Sequence, residues 1–140
     1  MDFSSINWLA VLACVVVSMV SGSLWYSPKA FFPIWWKGIG KKGEPTMGGD
    51  TDGSMAMTWV LVIVGSAVQV VMFAAFLSVL GANTLASGVS TGFWLWLAFI
   101  APTYLVNKLF ADQFPKVWAI EVGNHLLNFL LFGAILGAWQ

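Results

Sequence analysis

The sequence predicts an all-α membrane protein, with four transmembrane helices in an antiparallel bundle and both termini on the outer side. Three observations predict it. Of 140 residues, 59% are hydrophobic and only 9% are charged, whereas charged residues make up about a quarter of an ordinary soluble domain. Four apolar stretches, at about 6–25, 55–80, 88–106 and 118–139, match the roughly 20 residues a helix needs to cross hydrocarbon. They hold no lysine, and Glu121 is their only carboxylate. A soluble bundle would keep a polar face on each helix, which these stretches lack. The third observation is the placement of the lysines. Lys29, Lys37, Lys41 and Lys42 lie in the first loop and Lys108 and Lys116 in the third, with none in the second loop or at either end. Positive charge stays on the cytoplasmic side, so the odd loops face the cytoplasm and both termini lie outside.

The first helix, 6–25, contains Val15-Val16-Val17 and ends at Trp25-Tyr26-Ser27-Pro28. Trp and Tyr favour the headgroup zone, and Pro28 disfavours a helical Ser27, closing the helix. No basic residue precedes the run, so it reads as a retained helix rather than a cleaved signal peptide. Cys14, the sole cysteine, reads as a small packing residue. The following Phe31-Phe32-Pro33-Ile34-Trp35-Trp36 is too short to cross. It is expected to lie in the interface, rings toward lipid, with Trp25, Tyr26, Pro28, Phe31, Trp35 and Trp36 as anchors and Lys29 and Lys37 toward anionic headgroups. Residues 38–54, rich in glycine, read as a flexible cytoplasmic loop. Gly38-Ile39-Gly40-Lys41-Lys42-Gly43 has neither the spacing of a phosphate-binding loop nor a strand before it.

The second helix, 55–80, carries the small residues Gly65, Ser66 and Ala67, which favour close helix approach in lipid. Gln69, the only strongly polar residue mid-span, is expected to point inward. The third helix, 88–106, is interrupted by Pro102, which frees the Ala98 carbonyl and predicts a kink. The fourth helix, 118–139, separates two faces. Glu121, Asn124, His125 and Asn128 fall within roughly 100° of arc, and polar groups at that depth normally face protein or water. Gly133 and Gly137 form a Gly-x-x-x-Gly face elsewhere on the helix, suited to packing within the bundle or to a homodimer.

Depth links the last two helices. Pro102 lies about 8 Å, and His125 about 10 Å, from the cytoplasmic end of its helix at 1.5 Å per residue. The connecting loop is short, so the two helices are expected to be neighbours. The freed Ala98 carbonyl, or Thr103, is then expected to hydrogen-bond Asn124 or His125, and Lys108 to pair with Glu121. The polar intramembrane cluster predicted from sequence is Glu121, Asn124, His125, Asn128, Gln69 and Thr103.

Gly22-x-x-Trp25-Tyr26-Ser27-Pro28-x-x-Phe31 and then Trp35 resembles the small bacterial integral membrane proteins grouped as domain of unknown function 1761. Gly92-Phe93-Trp94-Leu95-Trp96, Ala101-Pro102-Thr103, Asn124-His125-Leu126 and Gly133-Ala134-Ile135-Leu136 fit the same family, so the resemblance spans nearly the whole chain. Phe32 departs from it, standing where the family pattern has glycine. The resemblance implies a four-helix protein of the bacterial cytoplasmic membrane and assigns no activity.

Function is less legible. A metal site needs several convergent ligands, and Glu121, His125 and Cys14 are too few. No nucleophile motif is present, so no enzyme, metal or cofactor is expected. Zero net charge without arginine argues against nucleic acid. The reading that fits best is an accessory, assembly or scaffold subunit that associates with itself or with a larger membrane complex in the bilayer. One alternative is an oligomeric transporter or channel for a small solute or ion, its polar path lined by the stripe. Another is a haem- or chlorophyll-type pigment subunit with His125 as axial ligand.

Overall fold

The computed structural model describes residues 3–4, 6–43 and 55–139. Among them four helical spans are long and apolar enough to cross a membrane, and no strand is present. The chain is an all-helical membrane protein.

Helix α1 runs Trp8–Trp25. It starts after Asn7, whose Oδ1 accepts from the Leu9 and Ala10 amides at 3.1 and 3.2 Å, satisfying two of the orphan donors of the first turn. A short helix α2, Phe32–Gly38, follows. Of the expected loop 38–54, residues 44–54 lie outside the described residues. Gly38 is the last residue of α2. Helix α3, Met55–Leu80, ends at Gly81, whose φ of +63° is the left-handed conformation glycine adopts freely.

The third span is longer than 88–106. It consists of α4 (Leu85–Leu95), a wide π-helical turn (Trp96–Ile100) and α5 (Ala101–Phe110). The early start comes from Thr84 and Ser87, each capping the other's backbone amide at 3.1 Å, a reciprocal cap. The wide turn accommodates Pro102, which has no amide hydrogen to continue the ladder: the Ala101 amide bonds back to the Trp96 carbonyl, five residues away. Helix α6, Lys116–Ala138, is the most buried span.

Helix α6 packs against every other helix. Its closest partner is α4, and glycine sets the approach. Gly88 and Gly92 of α4 face Gly133, Gly137 and the backbone of Phe129. A Cβ on Gly133 would overlap the Gly88 carbonyl, and one on Gly137 would lie 3.0 Å from the Gly88 Cα. The Gly133–Gly137 face is therefore consumed inside the chain, which removes it as a homodimer surface. Helix α1 lies along α6 with bonds at both ends: Asn7 Nδ2 donates to the Trp139 carbonyl at 3.3 Å, and Trp25 Nε1 to the Ile120 carbonyl at 3.0 Å. Phe73 of α3 meets Phe129 and Phe132 edge-on, centroids 5.5 and 6.1 Å apart, a favoured aromatic geometry. Cys14, fully buried, belongs to this core.

The interfacial segment departs from its expected pose. Phe32 and Trp36 are buried, and Trp35 Nε1 donates to Glu121 Oε1 at 2.9 Å. These rings turn toward α6 instead of lipid. Gly38 permits this, since its bare Cα leaves room for Val117, and the Trp35 indole N–H gains more from a carboxylate than from hydrocarbon, whereas Trp36 Nε1 is buried with no partner among the described residues. Only Phe31 and Ile34 keep large apolar surface outward.

Candidate functional site

The polar residues of α6 divide into three settings. Glu121 sits near the start of the helix, on the side of the lysine loops. Its Oε2 lies 2.9 Å from Lys108 Nζ, its Oε1 accepts from Trp35, and both members of the ion pair are largely buried. Lys108 also reaches Gln113 Oε1 at 3.1 Å. The carboxylate thus ties α2, α5 and α6 together. Tyr26 closes the group, its ring edge-on to Trp35 at 5.4 Å. Burial first, and then the negative charge of Glu121, pushes the Tyr26 phenol up, because both disfavour phenolate.

His125 forms the second setting. Its Nε2 lies 2.9 Å from the Tyr104 hydroxyl, and the two rings are tilted by 54° with centroids 5.0 Å apart. The expected partners were the Ala98 carbonyl and Thr103. Thr103 instead donates to the Phe99 carbonyl in its own helix at 2.6 Å and stays exposed, so it leaves the cluster. The cause is the wide turn. A π-helical turn inserts one residue, so the inward place that regular α geometry assigns to 103 falls to 104. Trp96 and Trp118 meet neighbouring backbone here, Nε1 donating to the Val122 carbonyl at 2.9 Å and the Ala101 carbonyl at 3.1 Å respectively.

Asn124 and Asn128 form the third setting. Both are buried. Asn128 Nδ2 donates to Asn124 Oδ1 at 3.3 Å. Ser21 Oγ donates toward Asn128 Oδ1, with the Ser18 carbonyl 3.1 Å away as its competing acceptor. Asn124 Nδ2 and His125 Nδ1 are buried with no partner among the described residues. An unmatched polar atom in hydrocarbon costs free energy.

These residues floor a cleft of about 380 Å³. Ser18 and Gly22 of α1, with Tyr26 just past its end, form one wall, Trp59, Val62, Ser66 and Gln69 of α3 the other, and Asn124, His125 and Asn128 the floor. Gln69 joins the α6 residues here, as its mid-span position predicts, although its amide bonds to none of them. No charged side chain among the described residues lines the cleft. Among the described residues no three His, Cys, Asp or Glu side chains stand together as metal ligands. The arrangement offers hydrogen bonds and an apolar wall. The Tyr104 hydroxyl engages His125 Nε2, and Nδ1 has no partner among the described residues.

Tyr104, Ser18 and Ser21 are site residues that the sequence reading missed. The serines lie three apart on α1, at the depth of Asn128 on its neighbour, and that spacing was the available signal. Gly88-x-x-x-Gly92, the counterpart of Gly133-x-x-x-Gly137, was equally visible.

A family model described as protein of unknown function (DUF1761) matches residues 9–137. The match covers nearly the whole chain, and the chain belongs to that family. No curated protein and no solved structure matches it.

Proposed function

We propose that this family member is an accessory, assembly or scaffold subunit of the bacterial cytoplasmic membrane, acting by association within the bilayer. In this reading the four spans form an antiparallel bundle with both termini outside, and the partner is a second copy or a larger membrane complex. It catalyses no reaction, holds no resident metal or cofactor, and does not bind nucleic acid.

The observation that carries the reading is the first half of α3. Trp59, Val60, Leu61, Val62, Ile63 and Val64 are each more than two-fifths exposed. Six consecutive helical residues cover every face, so this stretch has no fully packed side among the described residues. Gly65 follows it, and a Cβ there would meet nothing within 4 Å. The glycines at 88, 92, 133 and 137 all serve close contacts inside the bundle, whereas Gly65 serves none. A helical glycine costs about 1 kcal/mol relative to alanine, and in membranes that is offset where another helix approaches. Leu61, Gly65, Val68 and Met72, spaced four, three and four apart, form the stripe such a helix would meet.

The test is native mass measurement after gentle extraction, with the native chain and Gly65→Leu. The reading expects the native chain to travel with itself or another membrane protein. Gly65→Leu should deplete that species about tenfold and leave the isolated chain as stable as before. A native chain found only as a monomer with nothing bound would refute the reading.

A further inference from the structure

The cleft between α1, α3 and α6 has a use that association through the outer stripe of α3 does not explain. Asn124 lines its floor, only 8% exposed, and its Nδ2 is a buried donor with no partner among the described residues. Across the cleft, the Gln69 side chain makes no hydrogen bond to any described residue. Two side-chain amides with unmet donor capacity therefore line one space.

Three further features define what would fill that space. Among the described residues no charged side chain lines it, and an ion buried there would be expensive without a counter-charge, so a neutral occupant fits. Asn124 is eight residues into α6, about 12 Å from the helix start. That is deeper than a phospholipid can bring its backbone oxygens without dragging its phosphate into hydrocarbon. The α3 wall is apolar apart from Ser66 and Gln69, and Trp59 and Val62 on it are each 44% exposed, so the cleft is open along its apolar side. An occupant enters sideways from the bilayer, polar end toward α6 and apolar body toward lipid.

We propose that this cleft is a binding site for an uncharged, lipid-soluble amphiphile whose oxygen headgroup accepts hydrogen bonds from Asn124 and Gln69. A quinone ring and a neutral glyceride share that chemistry. The available volume, about 380 Å³, suits a headgroup of either kind with its tail left in the bilayer. His125, held by Tyr104 through Nε2, supplies the neighbouring polar edge. Binding alone is assigned to the site.

The full chain is reconstituted in phosphatidylcholine nanodiscs, and its unfolding midpoint is followed with increasing decylubiquinone, dioctanoylglycerol or decane. A saturable rise with decylubiquinone alone identifies the quinone source, and one with dioctanoylglycerol alone the glyceride source. Either outcome, with no response to decane, supports the site. Gln69→Leu should weaken the response about tenfold, the upper end for one hydrogen bond, without lowering the midpoint of the ligand-free chain. Asn124→Leu should do the same to binding; if it fails to fold, Gln69→Leu and Ser66→Val decide. No saturable response to either oxygen-headed probe overturns the proposal. So does an equal response to decane, or a response that Gln69→Leu leaves intact. The association test reads mass instead, so either idea can fail alone.

Discussion

Replacing Gly133 with alanine should destabilise the protein, while the same replacement at Gly65 should stabilise it. Both residues sit inside apolar helices, and an alanine in either gains about 1 kcal/mol of helix propensity. The difference is what the new methyl meets. At Gly133 it meets the Gly88 carbonyl and comes within 2.9 Å of the Val89 amide nitrogen. These are backbone atoms, which cannot rotate aside, so α4 and α6 must separate. Forced overpacking costs about 1–3 kcal/mol, and an unyielding backbone puts this site at the upper end. After subtracting the propensity gain, Gly133→Ala should lower stability by about 2 kcal/mol. At Gly65 nothing stands within 4 Å, so only the gain of up to about 1 kcal/mol remains. Reversible unfolding in mixed micelles, read by tryptophan fluorescence, measures both. The close glycine crossing is refuted if Gly133→Ala is neutral, or if the two variants shift stability in the same direction.

Other perturbations test the remaining contacts. Trp96→Phe keeps an aromatic ring and loses the donor to the Val122 carbonyl; it should cost about 0.5–1.5 kcal/mol in the same assay, and a silent variant would remove that bond from the account. Lys108→Met leaves Glu121 buried with only Trp35 as donor and should cost about 2–3 kcal/mol, with much of it recovered on adding Glu121→Gln; additive losses in the double-mutant cycle would show that the ion pair has no coupling. The raised Tyr26 phenol sets an alkaline limit. An unfolded tyrosine ionises near about pH 10 while the folded one holds its proton, so above that pH the unfolded state binds fewer protons. Stability should then fall by up to about 1.4 kcal/mol per pH unit. Tyr26→Phe should remove that part of the slope, and an unchanged slope would refute the burial of the phenol.

The spans were legible because apolar length is a one-dimensional property and survives any tertiary arrangement. The approach of Lys108 to Glu121 was legible for a related reason: the depths of two residues on neighbouring helices can be counted from the loop joining them. Rotation about the helix axis was not legible past residue 96. Pro102 announced a disturbance, but a kink and an inserted π-helical turn satisfy the missing amide equally well in sequence terms. They place different residues inside, Thr103 in one case and Tyr104 in the other. The interfacial segment failed differently. Nothing local tells Trp35 or Trp36 to face inward; that depends on a carboxylate 86 residues away and on Val117 filling the space over Gly38. The cleft was only half visible, because Gln69 and Asn124 stand out in any hydropathy plot, whereas Ser18 and Ser21 look like ordinary small residues until α6 lies beside them.

The dominance of α6 also bears on how the protein is made. It follows every other described span, so the ribosome delivers those helices before the one they all pack against. Until it inserts, the glycine face of α4, the serines of α1 and the Lys108 ammonium lack the groups that later complete them. Helices α1 and α3 can meet before it arrives, because they also pack on each other, while the glycine face of α4 waits uncovered in lipid. A chain interrupted before residue 116 would leave the α4 glycine face uncovered and Lys108 without Glu121, features that membrane quality control could detect.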